Sequence, residues 1–180
     1  MDLIEALDHT FQHAHGVIGN VRPDQHDNKT PCEEWTVRDL LEHAIGVVAG
    51  LGAAASGTPG SPLELGPDPA AQFDQVAAST LAAWRAPGVF DQLLDFGAGP
   101  MPGRVVAGIN LLDTATHTWD IATATGQPTQ LPDDVATSAL EVSRATISPG
   151  IRAGRFGPEL SAPDGAGPTE QLVAFLGRRP

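Results

Sequence analysis

The sequence predicts an all-α fold, a helical bundle, and three observations carry that expectation. Apolar residues recur at steps of three and four between Leu3 and Val21, and two overlapping helix-start signals precede Val37. The stretch from Val105 to Thr125 is apolar almost all round before Gly126 and Pro128 close it, which places it in the middle of a bundle.

The first helix is set by Leu3, Leu7, Phe11, Ala14, Ile18 and Val21, and it ends at Pro23 and the polar run 24–29. Thr30 with Glu33 fits a capping box that has Pro31 at its first helical position; Thr36 with Asp39 fits a second. With Thr36 as the cap, Trp35 and Leu40 take the two places of a hydrophobic staple, and the second helix runs from about Val37 to about Leu51. Residues 52–70, rich in Gly, Ala, Ser and Pro, read as a mobile connection. A third helix covers Pro69 to Trp84 and presents Phe73, Val76, Leu81 and Trp84 before Ala86-Pro87-Gly88 breaks it. Val89 to Gly103 reads as an irregular or hairpin-like crossover, the fourth helix as Val105 to about Thr125, and a fifth as Asp133 or Asp134 to about Thr146. Beyond Pro149 the chain is rich in Gly and Pro apart from a short apolar helix at Thr169 to Leu176. The whole chain, 1–180, is expected to form one domain, with 150–180 as a short C-terminal extension.

Composition removes several classes of function. The single cysteine, Cys32, excludes an intramolecular disulfide, so a reducing, cytoplasmic compartment is expected. The first twenty residues mix acids and histidines with apolar positions, unlike a secretory signal, and the run Ala44 to Ala55 is too short to span a bilayer. A formal charge of −12, from 22 acidic against 10 basic residues, repels phosphate backbones, and with 5% aromatics no base-stacking platform is present. Neither nucleic acid nor membrane is an expected partner. There is no G-x-S-x-G, no phosphate-cradling glycine loop and no nucleotide fingerprint.

On the fourth helix Asn110, Asp113, His117 and Asp120 fall at steps of three and four, a polar stripe on an apolar background. Burying a carboxylate is costly unless it is paired or coordinated, so something must answer Asp113. Asp113 and His117 stand one turn apart, the spacing by which a helix offers two ligands to one metal ion, and His43 at the edge of the second helix's apolar arc can supply a third. The same pair also arises as a plain hydrogen-bonded Asp-His couple, and spacing leaves both readings open. His9 and His13, with His15 beside them, fall outside the first helix's apolar face and read as a solvated patch. Cys32 lies near a helix start, which favours a thiolate, but Glu33 and Glu34 oppose this, so it reads as a semi-buried structural thiol.

The run Thr30 to His43, followed downstream by Asn110 to Asp120 and Ala124-Thr125-Gly126, resembles the metal-binding domain of the mycothiol-dependent maleylpyruvate isomerase family, a branch of the DinB-like superfamily. The ending, Phe156-Gly157-Pro158 with Leu172 to Arg178, resembles the tail of that family's compact members. The resemblance implies an antiparallel four-helix bundle with short extra C-terminal helices. It also implies a divalent metal, usually zinc with nickel as the alternative, held by His43, Asp113 and His117. The isomerase carries Glu at the carboxylate position, so Asp113 shortens the reach by one methylene. The isomerase also carries a longer C-terminal domain that helps bind substrate.

From the resemblance three activities are in view. The first is a transferase or isomerase that uses mycothiol or a similar low-molecular-weight thiol against a small electrophile. In it Asp120 orients a ligand histidine and Asn110 positions substrate or water. The second is a hydrolase acting through metal-bound water, and the third is a non-catalytic metal-binding module. Homodimerisation is compatible with the exposed helix faces but no residue demands it.

Overall fold

In a computed structural model that describes residues 1–32, 34–153 and 155–180, the chain folds into seven helices and one two-residue hairpin. They are α1 (Leu3–Gly19), α2 (Val37–Ser56), α3 (Pro69–Trp84), α4 (Gly103–Thr125), α5 (Asp133–Thr146), α6 (Pro149–Arg152) and α7 (Pro168–Phe175). Strands β1 (Leu93–Leu94) and β2 (Met101–Pro102) pair antiparallel within the crossover between α3 and α4. No helix among the described residues is long and apolar enough to cross a membrane.

Helices α1 and α2 each pack against both α3 and α4, which closes a four-helix bundle. Its core is built from Leu7, Phe11, Leu40, Ile45, Phe73 and Leu111, all but removed from water. Fully burying such a side chain stabilises the fold by roughly 1.5–3 kcal/mol. A second, smaller core forms where α5 and α7 cover another side of α4, with Leu112, Ala115, Val135, Leu140, Leu172 and Leu176. Helix α4 therefore has two cores on its flanks, as its all-round apolar pattern predicts.

The start of α2 follows the second capping signal. Thr36 Oγ1 accepts from Asp39 N–H at 3.2 Å and Asp39 Oδ2 accepts from Thr36 N–H at 2.9 Å, the reciprocal bonds of a capping box. The first signal is not used as a helix start. Thr30 Oγ1 instead accepts from Cys32 N–H and donates to Trp35 C=O, closing a turn; the other half of that box, Glu33, lies outside the described residues. Helix α2 runs five residues past the expected Leu51, because the small residues 52–56 pack on α3 rather than leaving the bundle. At Gly52 a Cβ would sit 2.2 Å from Thr80 Oγ1, so only glycine lets α2 and α3 approach this closely there. The connection that follows is partly fixed, since Gln72 bridges Gly66 N–H and Glu64 C=O and Leu63 and Leu65 pack on the core.

Candidate metal centre

The loop between α1 and α2 is moored to the end of α4. Gln25 Nε2 donates to Thr125 C=O and Asn28 Nδ2 to Ala124 C=O, while Val37 N–H donates to Asn28 C=O. These bonds deliver Cys32 and Trp35 to the face of α4 that carries the polar stripe. The Trp35 ring lies 4.4 Å from His43 and 6.1 Å from His117, centroid to centroid, and shields both imidazoles.

Across the α2–α4 seam His43, Asp113 and His117 converge, with one ligand atom from each lying within 4.8 Å of the others. His117 Nε2 stands 3.5 Å from Asp113 Oδ1, and His43 Nε2 stands 3.7 Å from the same oxygen. A charge-assisted hydrogen bond is shorter, about 2.7–2.9 Å. Two ligands placed tetrahedrally at ~2.0–2.2 Å from a zinc ion are separated by roughly 3.3–3.6 Å, so the His117 spacing falls in that range, the His43 spacing lies just above it, and both are longer than a bond between partners. Asp113 Oδ2 is buried and has no hydrogen-bond partner among the described residues. The donor set and the orphaned oxygen both fit a divalent cation.

Burial pushes the Asp113 carboxyl up, but the neighbouring His117 charge and the contacts to His117 and His43 outweigh it and hold Asp113 well below the usual carboxylate range. Burial likewise disfavours protonated His117, yet Asp113, Asp120 and Cys32 raise it well above its ordinary value. In the metal-free protein a proton on His117 thus occupies the place a cation would take.

Behind His117 stands a second group that fixes its tautomer. Asp120, fully buried, lies 3.1 Å from His117 Nδ1 through Oδ2. A carboxylate accepts only, so Nδ1 carries the proton and Nε2 is left to face Asp113 and His43. Asp120 is itself gripped by Arg178, whose Nε and Nη2 donate to Oδ1 and Oδ2, both at 2.7 Å. The Cys32 thiol donates to Asp120 Oδ2 at 3.4 Å and lies 3.6 Å from Arg178 Nη2. Burial raises the Asp120 carboxyl, but the bonds from His117 and Arg178 lower it further, so it stays ionised. Cys32, His117 and Asp120 also lie close enough to share an ion. The bidentate Arg178 cation already fills that place and would repel one, so the cleft-side set is the stronger candidate.

Arg178 reaches Asp120 because the C-terminal tail folds back. Gly177, at φ +81°, passes so close to Gly157 that a Cβ would lie 2.7 Å from its Cα, and Arg152 Nη1 donates to Gly157 C=O and Phe175 C=O. Sequence reasoning assigned Arg178 no role. The signal for it was the buried Asp120, which demands a cation. The sequence reads Cys32 as a structural thiol and Trp35 as a staple residue, and both stand beside the site.

Asn110 and the histidines of α1 lie away from this group, and the exposed His9 and His15 agree with the solvated patch expected there. Asn110 is fully buried, its Oδ1 accepts from Thr114 Oγ1, and it does not line the cleft over His43 and Asp113. Along the helix it is turned about 60° from Asp113 at ~100° per residue, toward the core. His9 instead makes an exposed pair with Asp134 at 2.7 Å and His15 with Asp74 at 2.8 Å; His13, half-buried, is pushed down by desolvation.

An open cleft of about 940 Å³ is lined by His43 and Asp113, with His117 buried behind them, and runs along one face of α2, from Asp39 through Glu42, His43, Gly46, Val47 and Gly50. Together these features define a helical-bundle protein with a two-histidine, one-carboxylate group at the base of an open cleft. Residues 11–122 match the family model of the mycothiol maleylpyruvate isomerase N-terminal domain, and the chain belongs to that family. It is 39% identical over 170 residues to the uncharacterized protein MT0763 of Mycobacterium tuberculosis strain CDC 1551 / Oshkosh, covering 90% of each chain. It is equally similar to the uncharacterized protein Rv0738 of strain H37Rv. Its fold matches the crystal structure of the mycothiol-dependent maleylpyruvate isomerase with a TM-score of 0.53, and a point mutant of that enzyme with 0.50. Both matches are at 15% identity and cover 77% of this chain and 68% of the other, a likeness of fold.

Proposed function

We propose that this protein is a metal-dependent transferase or isomerase that uses a low-molecular-weight thiol, mycothiol or a close analogue, against a small electrophile. The observation that carries the reading is the convergence of His43 and His117 on Asp113 Oδ1, the three ligand atoms within 4.8 Å, beside a buried Oδ2 that has no hydrogen-bond partner among the described residues. These three residues would hold the ion, zinc foremost. A divalent ion bound there lowers the pKa of a thiol and keeps it as a thiolate.

The chain's own contribution is orientation and exclusion of water. Arg178 holds Asp120, Asp120 holds the Nδ1 proton of His117, and Nε2 is thereby turned toward Asp113. Trp35 covers His43 and limits solvent access on that side. The apolar cleft wall of Val47, Leu51, Phe96 and Ile109 gives an electrophile a dry surface beside the ligand group. Membership of a family named for a mycothiol enzyme supports the choice of thiol over water as the nucleophile.

The test is elemental analysis of protein purified without added metal, followed by turnover of an electrophile panel with and without thiol. About one metal ion per chain and thiol-dependent turnover are expected, both lost in His43→Ala and His117→Ala. Full activity after complete metal removal would refute the proposal.

A further inference from the structure

Behind His117, on the side away from Asp113, lies a second set of donors. Cys32 Sγ stands 3.9 Å from His117 Nδ1 and 3.4 Å from Asp120 Oδ2, and His117 Nδ1 stands 3.1 Å from the same oxygen. A sulfur at ~2.3 Å and a nitrogen and an oxygen at ~2.0–2.2 Å around a zinc ion lie roughly 3.3–3.7 Å apart, so each distance falls within a few tenths of an ångström of a tetrahedral set. The place is held by a positive charge. Arg178 donates from Nε to Asp120 Oδ1 and from Nη2 to Oδ2, both at 2.7 Å, and Nη2 lies 3.6 Å from Cys32 Sγ. Asp120 has 0% and Arg178 13% of its side chain exposed, so solvent and salt screen this contact little.

The backbone fixes the guanidinium there. Arg178 N–H donates to Val173 C=O at 2.8 Å in the turn that closes α7, and Gly177, at φ +81°, redirects the chain just before it. A divalent ion on the three donors needs a thiolate and the Nδ1 lone pair: the thiol proton leaves to water, and the Nδ1 proton is transferred to Nε2. A neutral imidazole has one lone pair, so His117 serves this set or the set with His43 and Asp113, never both. With the guanidinium in place, a divalent ion meets a full positive charge a few ångströms away and finds both Asp120 oxygens taken.

We propose that Cys32, His117 and Asp120 form a latent site for a soft divalent ion, that Arg178 occupies it as a resident cation, and that Arg178 thereby determines which ion the protein holds. While the guanidinium is docked, an ion is confined to the nitrogen and oxygen donors of His43, Asp113 and His117. When it is absent, a thiophilic ion bonds to sulfur and draws His117 away from that set. This goes beyond the proposed thiol chemistry and does not depend on which nucleophile the protein uses.

The experiment is titration of the metal-free full chain with cadmium chloride, read by the ultraviolet charge-transfer band of a cadmium–thiolate bond. Cys32 is the single cysteine, so the band has one source. Wild type shows no band at one equivalent of cadmium, and Cys32→Ser leaves its cadmium affinity unchanged. Arg178→Gln, whose amide keeps a hydrogen bond to Asp120 without the charge, shows the band with a midpoint about a hundred-fold or more below that of wild type. The band disappears in Arg178→Gln/Asp120→Asn. Each titration is run below the measured melting temperature of the variant. A band in wild type, or weaker cadmium binding in Cys32→Ser, overturns the inference without recourse to any change at Arg178. No band in folded Arg178→Gln overturns it as well, and so does a band that persists in Arg178→Gln/Asp120→Asn, which marks binding by a lone thiol. A wild-type chain that binds no cadmium at all, with the band present in Arg178→Gln, supports this inference and counts against the ion at His43, Asp113 and His117.

Discussion

Arg178→Ala removes both bonds by which the C-terminal tail holds Asp120, and the size of the effect follows from burial. Asp120 is 0% exposed and Arg178 13% by side chain, so the pair is a buried one. Removing one partner of such a pair costs roughly 3–5 kcal/mol, because the survivor keeps its charge without compensation. Asp120 retains His117 and Cys32 and can take up a proton, which puts the cost near the lower end, about 3 kcal/mol. At roughly 2–4 °C per kcal/mol for a chain of this size, the melting temperature falls by about 6–12 °C. The loss of orientation at His117 adds a separate effect, a drop in zinc affinity of roughly 10–100-fold, read by competition with a chromophoric chelator. The cycle with Asp120→Asn isolates the pair. The double variant is more stable than the sum of the single losses implies, by about 1–3 kcal/mol. Strictly additive losses, or wild-type zinc affinity in Arg178→Ala, would show that Arg178 is no more than a surface tether.

Other perturbations probe the same framework. Asp120→Asn, an amide that donates to His117 Nδ1, draws the proton to Nε2 and lowers zinc affinity, and it also lowers the melting temperature because Arg178 is left without its carboxylate; chelator competition at a temperature where the variant is folded reads the first effect. Metal removal lowers the wild-type melting temperature, by the equivalent of about 2.7 kcal/mol at a hundred-fold excess of metal over Kd, and leaves His43→Ala unmoved. Gly52→Ala gains about 1 kcal/mol of helix propensity but meets Thr80 through Oγ1, Cβ and Cα at 2.2, 2.9 and 3.0 Å, so crowding wins and urea unfolding shows a net loss of about 1–2 kcal/mol. In metal-free protein His117, raised in the fold, gives stability that is present below about pH 6.5 and lost as pH rises through its folded value. Asp113, depressed, gives stability that is present above its unfolded value near pH 3.9 and lost as pH falls toward its folded one. Metal-free protein therefore melts at a lower temperature as pH rises above neutrality, and metal-loaded protein does not.

The fold was legible where the signal is local. The Thr36–Asp39 box, the Pro at the start of α3 and the Gly126 stop each act over one turn, so the elements they bound fall close to where the sequence places them. Residues 52–56 read as connection because Gly52, Ser56 and the Gly/Pro run beyond them interrupt the apolar periodicity, although the alanines between favour helix; close packing of Gly52 against Thr80 keeps the segment in the bundle. Thr30 and Pro31 also carried a valid start signal. It lost to the mooring of residues 25–37 on the end of α4, a tertiary constraint that no capping rule contains. Helix α6 is a single turn and left no periodic pattern to read.

The site divides along the same line. The spacing of Asp113 and His117 puts two side chains on one face, and that much is fixed by helix geometry before any partner is known. Asn110 belongs to the same stripe by spacing, yet a buried helix has neighbours on every side, and sixty degrees of rotation is enough to aim a polar side chain at Thr114 instead of the cleft. What spacing cannot supply is the cation behind the stripe. Asp120 pairs with a residue 58 positions away, on a tail that looks like a flexible Gly/Pro extension. The deduction available from sequence was narrower and still correct in kind, because a carboxylate buried on α4 obliges the fold to bring it a positive charge. His117 alone would have to answer both Asp113 and Asp120. Arg178 supplies the charge for Asp120, so that His117 meets that carboxylate through Nδ1 and turns Nε2 toward Asp113 and His43.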